Sequence, residues 1–352
     1  MAIEQEKQPE AQEDDLARPI GSYRQVVWRQ FKKNRPALAG LYGIIFLSII
    51  AIGADVIAGN KPLYLSYRGK TYFPVVTQYL VYLNLGDFPK ELKRRRNLKR
   101  LKADVMVLPP VPYGPGEIKL TEKYLPPSSE HWLGTDRLGR DVLSGLIHGT
   151  RYALTIGLVS VGISIIIGVT LGALAGYYGG WVDLLLSRFF EIWAAIPTLV
   201  LILTFAAILT PSIFMVMVIL GVTGWVGIAR LARSQFLQVR SFDFVAAANS
   251  LGCSTGRILF HHILPNAIAP ILVPVAFGVA AAILTEGGLS FLGVGIPAEA
   301  ITWGSLLAGA RSNAAAWWLV VVPGMAIFLS VSMYSLLGDG LRDALDPKMK
   351  ID

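Results

Sequence analysis

The chain has 352 residues, 53% of them hydrophobic and 16% charged, with a mean hydropathy of +0.53. Soluble domains carry about 25% charged residues, so this composition excludes an ordinary water-soluble protein and reads as an integral membrane protein. Lysine and arginine total 32 against 24 acidic residues, a net +8, and the single Cys253 excludes an intrachain disulfide or a multi-cysteine metal site.

The first 20 residues hold Glu4, Glu6, Glu10, Glu13, Asp14 and Asp15 and no apolar core. They are expected to be a disordered acidic tail rather than a cleavable signal, which leaves the first span as the targeting element. Tyr23, Val26, Val27 and Phe31 then recur at near-helical spacing among basic residues. Two readings stay open, a helix lying in the headgroup region and a plain basic flank.

A membrane span needs about 20 mainly apolar residues. Ala37–Ala54 supplies the first, and Leu154–Gly176 the second, inside an uncharged run from Tyr152 to Val182. Ile192–Ala229 has no charged side chain and is too long for one helix. Thr210-Pro211-Ser212 is its natural break, giving two helices. A fifth runs from near Pro265 to Glu286 and a sixth from about Ala315 to Leu337. The fold class expected is an all-α polytopic membrane protein with six spans and a small extracytoplasmic insertion.

Lysine and arginine in short loops set orientation. Arg18, Arg24, Arg29, Lys32, Lys33 and Arg35 precede the first span, Arg230, Arg233, Arg240 and Arg257 lie between the fourth and fifth, and Arg342, Lys348 and Lys350 follow the last. All are expected on the cytoplasmic side, both termini included. The division is 1–35 for the tail and interfacial segment, 36–58 for the first span, and 59–150 for the outward insertion. The core follows over 151–338, with a cytoplasmic loop at 230–264, then a tail over 339–352.

In the insertion, Tyr64, Leu65, Tyr67, Tyr72, Phe73 and Val75 surround Arg68-Gly69-Lys70, which predicts a short hairpin. Lys90–Lys102 carries eight basic residues. Lys93, Arg94, Arg95 and Arg96 are candidates for docking an acidic partner or lipid phosphates, against a plain solvated helix face. Nucleic-acid binding would need that run on the cytoplasmic side, which the topology opposes. His131-Trp132-Leu133-Gly134-Thr135-Asp136-Arg137-Leu138-Gly139-Arg140-Asp141 predicts a tight loop held by Asp–Arg pairing and by aspartates accepting backbone amides. His131, without spaced partners, is read as structural rather than as a metal ligand.

The loop before the fifth span is the most regular. Asp243 is a plausible N-cap for a helix reaching Leu251, broken at Gly252, and a second helix is expected to end before Pro265. Small side chains at Ala246, Ala247 and Ala248 allow another protein to approach the backbone closely. Such a helix–turn–helix can pass a push into the adjoining spans.

This loop resembles the coupling motif of bacterial ABC importer permeases. Phe244, Ala247, Ala248, Leu251, Gly252, Leu264 and Pro265 fit the motif, and Ala246 stands where glutamate is usual, which removes any salt bridge that glutamate would make. His131–Asp141, Gly176-Tyr177-Tyr178-Gly179-Gly180 with Asp183, and Glu191 with Pro197 resemble the C-type permeases of the dipeptide, oligopeptide and nickel transporters. So do Glu286 with Leu289-Ser290-Phe291-Leu292-Gly293, Trp303-Gly304, and Asp339–Pro347. The resemblance implies one extra N-terminal helix before a five-helix type I importer core in the bacterial inner membrane. It also implies a homologous second permease, two ATPase subunits and an extracytoplasmic solute-binding protein. No Walker A pattern occurs, so ATP and Mg are expected on the partner ATPases, with no cofactor, metal or catalysis in this chain.

Glu191 and Glu286 are the ionisable residues inside the apolar stretches and are candidates for the substrate pathway. The alternative has Glu191 paired with Arg188 or Arg230 and Glu286 at the outer interface. Function therefore reads as a peptide permease, with nickel or another small solute as the alternative. An ion-coupled secondary transporter would call for inverted repeats, and none is evident. A membrane enzyme using His261 and His262 is disfavoured, because adjacent helical residues point about 100° apart.

Overall fold

The computed structural model describes residues 23–89, 92, 98–101, 103–295, 297 and 300–345. The acidic tail and the docking candidates Lys93, Arg94, Arg95 and Arg96 lie outside the described residues. Helix α1 (Tyr23–Lys33) buries Phe31 against Ala37 and Ala344, while Trp28 stays exposed with the Lys32 ammonium 5.3 Å above its ring. Asn34 caps α2 (Arg35–Ile52) by accepting the Ala37 amide at 3.1 Å, and its Nδ2 donates to Asp343 at 3.0 Å. One cap thus starts the first apolar helix and ties it to the chain's other end.

After a single turn, α3 (Ala54–Ile57), strands β1 (Tyr64–Tyr67) and β2 (Lys70–Tyr72) form the hairpin that the sequence predicts. Arg68 and Gly69 both take positive φ (52° and 72°), the geometry that two-residue hairpin turns need. A third strand, β3 (Val105–Val107), pairs with β1, giving the order β2-β1-β3. Beneath it Leu65, Leu92, Leu98 and Leu101 form a small core, so leucines within the basic run serve packing. Helix α4 (Pro74–Tyr82) is pinned by the Tyr79 hydroxyl, which donates to the Ile52 carbonyl at 2.8 Å.

Helix α5 (Val142–Tyr178) has 37 residues and so spans about 55 Å. It begins well before residue 151, and a boundary at 150 would cut through its second and third turns. The start signal is Asp141, whose Oδ1 accepts the Ser144 amide at 2.7 Å. The polar side chains of 142–151 are used up in tertiary bonds. Ser144 donates to the Tyr113 carbonyl at 2.7 Å, His148 Nε2 lies 2.8 Å from the Ala58 carbonyl, and Arg151 pairs with Asp55 at 2.7 Å.

The uncharged run after α5 breaks more often than its charge pattern suggests. Helices α6 (Gly180–Ala195) and α7 (Thr198–Ile208) meet at 79°, because Ile196, just before Pro197, is forced into extended backbone. The expected interruption at 210–212 separates α7 from α8 (Ile213–Gly224), which Ser212 caps. Helix α9 (Val226–Arg240) continues α8 with a 44° bend.

Helix α10 (Asp243–Ser250) carries the alanines Ala246, Ala247 and Ala248. Asp243 is not its N-cap. Phe242 holds that position, and no side chain caps the helix. Nor does the next helix end before Pro265. The turn α11 (Thr255–Arg257) runs through a π-helical segment, Ile258–Ile263, into α12 (Leu264–Leu292). Pro265 falls at the start of α12, where its missing N–H is tolerated, and the wide π turn ahead of it takes up the carbonyls that the ring would crowd. The apolar stretch is therefore one helix from Thr255 to Leu292, not two.

Helix α13 (Trp303–Gly309) opens with a capping box of Thr302 and Ser305, and α14 (Trp318–Leu345) is the last of the described helices. Among the described residues four helices are individually long and apolar enough to cross a membrane: α2, α5, the continuous α11–α12 and α14. The bent pairs α6–α7 and α8–α9 bring the number to as many as six.

Helix α5 is the spine of the bundle. Gly168, Gly172 and Gly176 put its backbone directly against α9, and a Cβ on Gly172 would lie 2.4 Å from the Ala229 carbonyl oxygen. Small residues every fourth position let two backbones meet this closely. At the far ends Arg240 donates to the Tyr177 carbonyl at 2.7 Å, and Arg233 pairs with Asp183 at the start of α6.

Candidate functional site

Three features are built on this frame, one at each end of α5 and one between. The first is a platform formed by the chain between α9 and α12. Val245 and Ala248 of α10 are buried with Phe236 and Val239 of α9 and with Ile258, Ile263 and Ala267. Tyr177 of α5 and Leu264 pack on the same cluster. The platform thus rests simultaneously on the ends of α5, α9 and α12, and displacing it must displace them. Its outer side is open and mixed in character: Leu251 is 83% exposed and Phe260 68%, Phe242 and Phe244 are exposed with rings meeting edge-on at 5.9 Å between centroids, and Asp243, Asn249, Arg257 and His261 are exposed among them.

Of the residues expected here, Phe244, Ala246, Ala247, Leu251, Gly252 and Pro265 lie on the exposed side. Gly252 has φ +72°, the left-handed conformation that stops α10 and turns Leu251 outward. Ala248 and Leu264 belong to the underlying packing and not to the exposed surface. Ala248 is buried because it lies three residues after Val245 on the same helix face. Phe242 and Phe260 were missed in the sequence. Phe242 stood outside the helix expected from Asp243, and the π turn that exposes Phe260 has no sequence pattern of its own.

At the opposite end, Glu122, His131, Asp136, Arg140 and Asp141 fix the entry to α5. The buried His131 bonds through Nδ1 to Asp141 at 2.8 Å and through Nε2 to Glu122 at 3.2 Å, with its ring 4.5 Å from that of Tyr113. Asp136 accepts the amides of Leu138 and Arg140 at 2.8 and 2.9 Å and the Arg140 Nε at 2.6 Å. This is the Asp–Arg loop that the sequence predicts. Gly139, at φ +71°, is required twice over, since a Cβ there would sit 1.8 Å from the Lys119 carbonyl oxygen.

Burial pushes the Tyr113 phenol up to about 12, helped by the negative charges of Glu130, Asp141 and Glu122. Glu122 is pushed up by burial, but hydrogen bonds from Lys119 and His131 outweigh that and hold it below the ordinary carboxylate value. Among the described residues no group of three or more His, Cys, Asp or Glu is arranged to hold a metal ion.

Between the two ends lies a groove of about 320 Å³ against α5, α7, α8, α9 and α12. Its polar lining is entirely hydroxyl, from Ser160, Ser164, Thr198, Thr223 and Thr285, with Gly224, Gly227 and Gly278 keeping it open. Ser160 is 1% exposed and its Oγ has no hydrogen-bond partner. A buried hydroxyl without a partner is costly, and here it faces a cavity that could supply one.

Neither carboxylate candidate lines that groove. Glu191 is exposed on α6 and pairs with Arg188 at 2.6 Å. Glu286 is 2% exposed within α12 and accepts from Ser290 at 2.7 Å. The structure keeps the two apart, on different helices with separate partners.

Residues 168–351 match the binding-protein-dependent transport system inner membrane component family. The chain belongs to that family. Residues 22–79 match the N-terminal transmembrane domain of oligopeptide transport permease C. The dipeptide transport system permease protein DppC of Bacillus subtilis (strain 168) is 34% identical over 99% of this chain and 92% of its own. The inner membrane ABC transporter permease protein YejE of Escherichia coli (strain K12) is 34% identical over 94% and 99%. A DppC of Alkalihalophilus pseudofirmus is 44% identical over 64% of this chain and 74% of its own. The family members are membrane transport components, and this chain is a permease subunit of that kind.

Proposed function

We propose that this permease forms half of the translocation path of an ATP-driven importer for di- or oligopeptides. In this reading it crosses the bacterial inner membrane six times, counting each bent pair once, with both termini cytoplasmic and residues 59–141 outside. A homologous permease supplies the other half, and a solute-binding protein delivers peptide from outside. Two ATPase subunits hold ATP and Mg and carry out the hydrolysis.

The observation that carries this reading is the platform of Phe242, Phe244, Leu251 and Phe260. Four large apolar side chains this exposed, interspersed with small alanines and polar residues and seated on three long helices, suit a docked protein. ATPase closure would press on it and, through the buried Val245–Ile258–Ile263 cluster, shift α9 and α12 against α5. The hydroxyl-lined groove lies on those same helices. Ser164, Thr223 and Thr285 already donate to backbone carbonyls, so the groove offers mainly hydroxyl acceptors, which suit the amide N–H groups of a peptide backbone and would not trap any particular charged side chain.

Reconstituting the chain with its gene neighbours in vesicles tests the assignment. ATP-dependent uptake of a labelled tripeptide, dependent on the binding protein, is the expected result. Uptake of nickel ion in place of peptide would favour the small-solute alternative. Uptake without ATP under an ion gradient would replace the reading with a secondary transporter.

A further inference from the structure

A second cavity, of about 530 Å³, opens at the end of the bundle away from the platform. Its walls come from the Asp136–Arg140 loop, the C-terminal end of α12, and α13 with the turn after it. Three arginines line it, Arg137, Arg140 and Arg311, with Ser290, Ser305 and Ser312. Among the described lining residues there is no carboxylate.

Among the described residues the charges around it do not cancel. Arg140, 5% exposed, is neutralised by Asp136 at 2.6 Å. Arg311 donates to the Phe291 carbonyl at 3.0 Å and lies 5.7 Å from the Phe291 ring, contacts that orient a guanidinium without neutralising it. Arg137 is exposed and has no ion-pair partner among the described residues. Glu286 is not among the lining residues; it accepts the hydroxyl of Ser290, which is. Two unneutralised guanidinia on one concave surface focus a positive potential. The volume is in the range of small-ligand sites, and the guanidinium fork matches a carboxylate in two parallel bonds.

We infer that this cavity receives the C-terminal carboxylate of the incoming peptide, with Arg137 and Arg311 as its binding groups. The inference rests on the peptide-importer reading and deepens it. A free peptide ends in a carboxylate whatever its side chains, so one anion-binding subsite at the mouth serves many sequences. The hydroxyl groove then accepts the backbone that follows.

The test uses the complete reconstituted importer and two labelled substrates, trialanine and its C-terminal amide. The loading of the binding protein with each is measured separately, so that uptake is expressed per loaded binding protein. Wild type should favour the free acid. Arg137→Gln and Arg311→Gln should each lower free-acid uptake about tenfold, the size expected of a lost charge-assisted bond, and leave amide uptake unchanged. Both residues are at the surface, and membrane insertion and ATPase co-purification serve as controls for folding. Equal loss for both peptides would overturn the inference and assign the arginines to docking an acidic surface of the binding protein. Unchanged uptake of both would overturn it outright. A wild-type complex that moves neither peptide would refute the importer reading, and the inference with it, which separates the two failures.

Discussion

Gly172 shows how one atom sets the distance between two helices. With a Cβ only 2.4 Å from the Ala229 carbonyl, Gly172→Ala must push α9 away from α5. Overpacking of this kind costs about 1–3 kcal/mol, so thermal unfolding of the purified variant should shift down by several degrees. Gly162→Ala on the same helix has nothing within 4 Å of the new Cβ and should leave the midpoint unchanged or raise it. Near the start of α5, Glu122 has a folded-state pKa held below its unfolded value, so its contribution to stability is present above about pH 4.3 and is lost as the pH falls through the folded value. The melting temperature of wild type should therefore drop between pH 5 and 3 by more than that of Glu122→Gln. An equal drop would show that the Lys119–Glu122–His131 contacts add nothing to the fold.

At the scale of elements, the platform separates packing from contact within one short helix. Ala248→Leu adds volume to the Val245–Ile258–Ile263 cluster and should destabilise the protein by about 1–3 kcal/mol. Ala247→Leu, one residue away and exposed, should leave unfolding unchanged while weakening retention of the ATPase on co-purification. Much of this organisation was legible in the sequence. Glycines and charges at fixed spacing announced the Asp136–Arg140 loop, and β-formers around Arg68-Gly69 announced the hairpin. What was not legible depended on partners distant in the chain. The boundary that the sequence puts at 150 falls inside α5, because the polar side chains of 142–151 find Tyr113, Ala58 and Asp55 only in the folded state. Pro197 and Pro265 are the same residue type with opposite outcomes. The first ends a helix and bends the chain by 79°, whereas the second starts a helix behind a π turn. Proline chemistry alone does not choose between these, because packing around the neighbouring turn decides.

Over the whole molecule, α5 links the platform at one end to an arginine-lined cavity at the other, with a hydroxyl groove between. Glu191 and Glu286, conspicuous as charges in apolar sequence, line neither the groove nor the cavity. The reason is physical: each carboxylate is satisfied by a neighbour on its own helix, Arg188 or Ser290, within one turn. The hydroxyls of Ser160, Ser164 and Thr223 are far less visible in a sequence, since serine and threonine are common in membrane helices and ordinarily bond to their own backbone.

The central claim is that the exposed Leu251–Phe260 surface transmits ATPase movement into the bundle. The most direct measurement is the hydrolysis rate of the co-purified complex, with and without loaded binding protein, for wild type and for Leu251→Asp with Phe260→Asp. Both side chains are exposed, so the variant should insert and melt as wild type does. Loss of ATPase retention or of the binding-protein-stimulated rate, with insertion intact, is the result predicted. A variant that keeps its ATPase and its full stimulated rate would contradict the account and remove the platform from the mechanism.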